Sequence, residues 1–100
     1  LKPFNLLKKI HFLSLSGPLM KKALFSKGNL HGHSFQNKGY FHTITAWDKR
    51  ECMMEYVYSP AHQKAIDIFE KLGEGKTCHY ETSGLPDQNE ALIYWERNAK

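Results

Sequence analysis

No aspartate or glutamate precedes Asp48. Seven lysines and four histidines occupy that acid-free stretch. From Asp48 onward, seven bases face ten acids, a balance of −3, and the whole chain carries +4. Arginine is scarce, with only Arg50 and Arg97. That scarcity argues against a phosphate-reading surface, because bidentate recognition of phosphate favours guanidinium over ammonium. Cysteine is limited to Cys52 and Cys78. Two thiols do not make a disulfide framework, and no CxxC or Cys/His zinc spacing is present. They read as reduced thiols of a cytoplasmic protein. No apolar run approaches the roughly 20 residues a bilayer span requires, so no membrane span is expected. Neither glycine nor proline is abundant enough for a collagen-like or low-complexity chain. Walker loops, Gly-rich dinucleotide loops and serine-nucleophile motifs are all missing.

What remains is an ordinary globular composition, 41% hydrophobic and 24% charged over 100 residues. This length corresponds to one domain, residues 1–100. Lys8, Lys9 and the apolar run from Ile10 to Leu15 resemble a signal-peptide core. Pro3 and Phe4 ahead of the lysines, and the lack of an A-x-A site, argue against export.

Residues 3–25 read as two helical pieces. Leu6, Ile10 and Leu13 fit a helical stripe that continues at Met20 and Leu24, with a break expected at Gly17-Pro18. Residues 28–36 and 40–47 read as a hairpin, because the first alternates polar and aromatic residues, the second is rich in aromatic and β-branched ones, and Asn37-Lys38-Gly39 between them accepts positive φ. On the second strand Phe41, Thr43, Thr45 and Trp47 share one face, and Tyr40, His42, Ile44 and Ala46 share the other. Asp48 and Glu51 approximate a capping box for a following helix. Ser59 as N-cap and Pro60 at the first position start another, with Ala61, Ala65, Ile68, Phe69 and Leu72 along one stripe and Gly73 at its end. Residues 76–82 alternate and read as a strand. Residues 83–87 read as a turn, and Asn89 to Lys100 as a terminal helix. A ferredoxin-like β-α-β-β-α-β plan wants one strand before residue 3, and Leu1-Lys2 is expected to be its stub.

The segments H-T-I-T-A-W-D at 42–48 and M-E-Y-V-Y-S-P-A-H at 54–62 carry a resemblance. Trp47, Ser59 and His62 stand in the order of a T-x-x-x-W strand end followed by an S-x-x-H helix start. Together with Y-E-T-S-G-L-P-D from Tyr80 to Asp87, they resemble uncharacterised relatives of the antibiotic-biosynthesis-monooxygenase superfamily, the dimeric α+β barrels. The resemblance covers about residues 40–95. It implies an α+β, ferredoxin-like protomer, with helices on one face of an antiparallel sheet that pairs with a second copy as a homodimer. The activity it implies is monooxygenase-like, without a cofactor or linked to haem. A non-catalytic ligand-binding dimer is the alternative.

His62 is the leading catalytic candidate. A helix N-terminus favours a neutral imidazole, which serves as base, hydrogen-bond partner or haem ligand. The competing role is structural, bonding the loop at Ser59. Trp47, Tyr56, Phe69 and Tyr80 are candidate walls of a pocket for a small apolar or aromatic molecule, or else plain core residues. No metal site is expected. The one alternative is His31 and His33 on one strand face, with His42 as a third imidazole if the register allows it. No nearby carboxylate exists to orient those imidazoles. The lysine-rich first half with its aromatics invites RNA binding, but Lys38-Gly39-Tyr40 departs from the RNP1 pattern at once, so no nucleic-acid partner is expected.

Overall fold

The computed structural model describes all residues 1–100. Its elements are β1 (Lys2–Pro3), α1 (Leu6–Leu24), β2 (Asn29–Asn37), β3 (Tyr40–Trp47), α2 (Arg50–Val57), α3 (Pro60–Leu72), β4 (Gly73–Glu74) and α4 (Gln88–Asn98). This is an α+β chain of four helices and two small antiparallel sheets, β1 with β4 and β2 with β3.

The hairpin is built as its turn residues dictate. Asn37 pairs with Tyr40, leaving a two-residue turn whose Lys38 and Gly39 both take positive φ, 51° and 83°. That is the type I′ geometry matching strand twist. Gly39 supplies it freely, whereas Lys38 adopts it against its Cβ. The two faces of the hairpin then part company. Phe41 meets Phe12 of α1 with ring centroids 5.5 Å apart, and Phe12 meets Phe69 of α3 edge-on at 4.9 Å. Gly32 lets Met20 and Leu24 of α1 close in: a Cβ there would lie 3.0 Å from each side chain. So α1 and α3 lie together on one face. On the other, Trp95 of α4 stands edge-on to His42 at 4.6 Å and Tyr40 at 5.2 Å.

Leu1 exchanges both backbone hydrogen bonds with Phe41 of β3. Hydrogen bonds therefore run laterally from β4 through β1 to β3 and β2. The segment expected as a strand stub is β1, one residue later than anticipated. Gly73 makes its pairing with β4 feasible, since a Cβ there would fall 2.3 Å from the Lys2 carbonyl oxygen.

Four sequence expectations give way. The first helix is a single element with Pro18 inside it. Gly17 and Pro18 both face solvent, where a missing helical hydrogen bond costs least. Of the expected stripe Leu6, Ile10 and Leu13 are exposed, Met20 is half-buried and Leu24 partly exposed, both reaching Gly32, while Phe12 and Ala23 are buried and Leu15 and Leu19 half-buried. Asp48 does not cap α2: Lys49 holds the N-cap position with no side-chain bond, and the Asp48 amide donates to the Gly28 carbonyl instead. Residues 76–82 form no strand. The only strand after α3 is Gly73–Glu74, because the glycine, not the alternating stretch, sits beside β1. By contrast α3 runs as expected, with the Ser59 hydroxyl accepting from the His62 amide. In α4 the Asp87 carboxylate accepts from the Glu90 amide.

Burial is thin. Only six residues are buried: Phe12, Ala23, His42, Ala65, Leu72 and Gly73. The accessible surface is 7164 Å². A monomer of this mass exposes about 5,800 Å² by the usual scaling. No helix is long and apolar enough to cross a membrane.

Candidate functional site

Three of the sequence-predicted residues converge. β3 delivers Trp47 at its end, the short helix α2 beyond it delivers Tyr56, and the capped start of α3 delivers His62. The Trp47 and Tyr56 rings lie 5.4 Å apart, and Tyr56 meets His62 edge-on at 5.0 Å. Each partner is fixed from outside the trio. The Trp47 indole N–H donates to the Thr45 hydroxyl at 3.0 Å. The Tyr56 hydroxyl donates to the Leu19 carbonyl of α1 at 3.2 Å, tying α2 across to α1. His62 is placed by the cap itself, its amide donating to the Ser59 Oγ while that hydroxyl donates to the Tyr56 carbonyl.

His62 Nδ1 is buried and has no hydrogen-bond partner. The Val57 backbone lies near enough to act as a hydrogen-bond partner of this ring, short of good geometry at Nδ1. Burial holds the imidazole below its ordinary titration range, with the Val57 backbone opposing that shift. The ring is therefore neutral at physiological pH and able to accept or donate one hydrogen bond. Burial also pushes the Tyr56 phenol up, which keeps it protonated. The trio offers two aromatic faces and one neutral, unsatisfied nitrogen.

The remaining two predicted wall residues lie elsewhere. Phe69 is two turns along α3 from His62, packed edge-on against Phe12. Tyr80 packs against Tyr94 of α4 in a tilted pair with centroids 4.6 Å apart. Its hydroxyl is buried without a partner, and its pKa is raised by burial first and then by Glu90, Cys78, Asp87 and Tyr94.

The three histidines of the hairpin share one face, as the two-residue turn requires, but do not converge. His31 Nε2 and His33 Nδ1 are 2.8 Å apart, and His33 Nε2 lies 3.1 Å from the Gln88 side-chain oxygen. His42 pairs across the hairpin with Phe35 rather than His33, and stacks on that ring at 5.0 Å. A phenyl ring thus separates it from the other two. No group of three or more His, Cys, Asp or Glu side chains is arranged to hold a metal ion.

Sequence reasoning missed the residues that complete these surroundings. A depression of about 210 Å³ beside Tyr56 is lined by Lys22, Ser26, Lys27, Cys52, Glu55 and Ser59. These come from the end of α1, the next loop and α2, and only the fold joins them. Gly28 permits that junction: at φ 81° it brings Cys52 so close that a Cβ would sit 2.7 Å from the sulfur. Gln88 and Trp95 were also not foreseen on the histidine face. Their sole advance signal was α4 itself, which places them about two turns apart on one side. No protein-family model, no curated protein and no solved structure matches this chain.

Proposed function

We propose that this chain is the protomer of a small homodimeric α+β barrel, similar to the antibiotic-biosynthesis-monooxygenase group, that binds a small apolar or aromatic molecule. The reading draws on two features. Two small sheets, β1 with β4 and β2 with β3, are linked by the Leu1–Phe41 backbone bonds, with α1 and α3 on one face, an arrangement compatible with a ferredoxin-like protomer. The observation that carries the ligand is the buried, unpartnered Nδ1 of His62 against the Tyr56 ring. In this reading Trp47 and Tyr56 provide the walls, and His62 provides the polar contact. A neutral imidazole accepts the proton of a phenolic or enolic hydroxyl, which is the first demand of monooxygenase-like chemistry on such a substrate.

The test uses Trp95→Phe protein, so that emission reports on Trp47 alone. Titration with a hydroxylated aromatic such as 1-naphthol quenches that emission at saturation. His62→Ala in the same background weakens binding about tenfold, the value of one lost hydrogen bond to a buried group. Equal affinity with and without the imidazole sinks the ligand assignment. Sedimentation equilibrium checks the dimer independently, and a monomer at micromolar concentration refutes that half.

A further inference from the structure

We infer that the outer face of α1 is a docking surface for an anionic lipid bilayer. The helix is apolar on two sides. One side, Phe12, Leu15, Leu19 and Ala23, is spent on the fold. On the other, Leu6, Leu7 and Ile10 are 70%, 79% and 57% exposed, and Leu13 and the exposed part of Leu24, whose Cδ2 packs toward Gly32, continue the sector. At 100° per residue these five and Gly17 span roughly 120° of the circumference. Phe25, 82% exposed, prolongs it past the helix end. The sector is long enough to lie along an interface, about 28 Å at the helical rise, while the helix cannot cross a bilayer.

Charge decides the occupant. On the helix, Lys22 borders the sector on one side and Lys21 stands at its C-terminal end, while Lys9 on the other border turns its ammonium to the Phe41 ring at 5.7 Å. Lys27 follows Phe25 in the next loop, and no carboxylate lies anywhere in this half of the chain. Lysines flanking an apolar stripe suit a surface that pairs hydrocarbon with negative headgroups, since their stems bury while the ammonium reaches the phosphates. Glu55 of α2 lies beside Lys22 and Lys27, so it is the excess of lysine, not an absence of acid, that sets this face against a second copy. The adjacent α3 presents Lys64, Asp67, Glu70 and Lys71 outward, a balanced set that leaves the lysines of α1 to determine the sign. This site is separate from the Trp47–Tyr56–His62 trio and does not depend on it.

Flotation of the full chain with large unilamellar vesicles provides the test. Vesicles one-third phosphatidylserine retain the protein at least about tenfold better than pure phosphatidylcholine, and raising salt releases it. Leu7→Glu with Ile10→Glu abolishes retention, while Ile93→Glu, an exposed apolar site on α4, leaves it unchanged. Circular dichroism establishes that each variant folds. Should the double variant misfold, Lys21→Gln with Lys22→Gln takes its place, with retention on the acidic vesicles reduced severalfold. Three results overturn the inference. They are absence of retention on acidic vesicles, equal retention on neutral ones, and a dimer in lipid-free buffer that the Leu7 and Ile10 substitutions dissociate.

Discussion

The two faces of the β2–β3 hairpin are covered by different means. On the Phe41 face, α1 and α3 interlock through three phenyl rings, with Ala23, Ala65 and Leu72 buried around them. On the His42 face, α4 rests through one indole and one amide, and none of its own residues is buried. The first contact is apolar and indifferent to solution conditions. The second sets aromatic rings against imidazoles, whose charge changes with pH. A hairpin with a strict two-residue period thus carries a core on one side and a conditional attachment on the other.

The largest blow to this contrast falls on the apolar side. Phe12→Ala removes the ring shared by Phe41 and Phe69 and costs about 3–5 kcal/mol. For a domain this thinly buried, that leaves most of the chain unfolded in a urea titration. Trp95→Ala costs less, about 1–2 kcal/mol. It frees α4 while α1 and α3 keep their packing, so proteolysis begins beyond Lys76 before the rest of the chain melts. An equal loss of protection in both regions contradicts the contrast.

A smaller effect is pH-dependent. His42 titrates below the ordinary imidazole range, because of burial first and the Leu1 ammonium second, with Glu96 opposing. The unfolded chain therefore takes up that proton first as pH falls, at about 6.5. Stability is full above this point and declines below it toward the lower folded value. His62 adds a decline of the same sign. Thermal unfolding followed across this window shows Tm falling as acid is added. His42→Gln removes the part belonging to the α4 face and leaves that of His62. Smallest of all, Lys38→Asn places a residue tolerant of positive φ in the turn and stabilises the hairpin by about 0.5 kcal/mol. It raises Tm slightly without favouring either face.

Local chemistry made the hairpin and α3 legible in advance. Gly39 in a short polar turn and the pair Ser59-Pro60 act through bonds within a few residues, so sequence alone carries them. The inward side of α1 was illegible because the helix is apolar on both sides, and periodicity cannot choose between two stripes. The final strand was misplaced because its position depends on how closely Lys2 approaches Gly73, a contact 71 residues apart in the chain. Of the candidate site, Trp47, Tyr56 and His62 were foreseen. Tyr80 was drawn away to Tyr94 by an α4 whose docking no local signal announces.

The excursion that begins at Thr77 fastens to its own end. Thr77 and Lys100 exchange both backbone hydrogen bonds, and the Trp95 indole N–H donates to the neighbouring Lys76 carbonyl. Its two ends therefore hold each other rather than the sheet. Opening the few contacts to His33, Tyr40 and His42 need not dissolve that closure. Amide protons throughout α4 then exchange in a single collective event, at a rate separate from that of the helices behind Phe41.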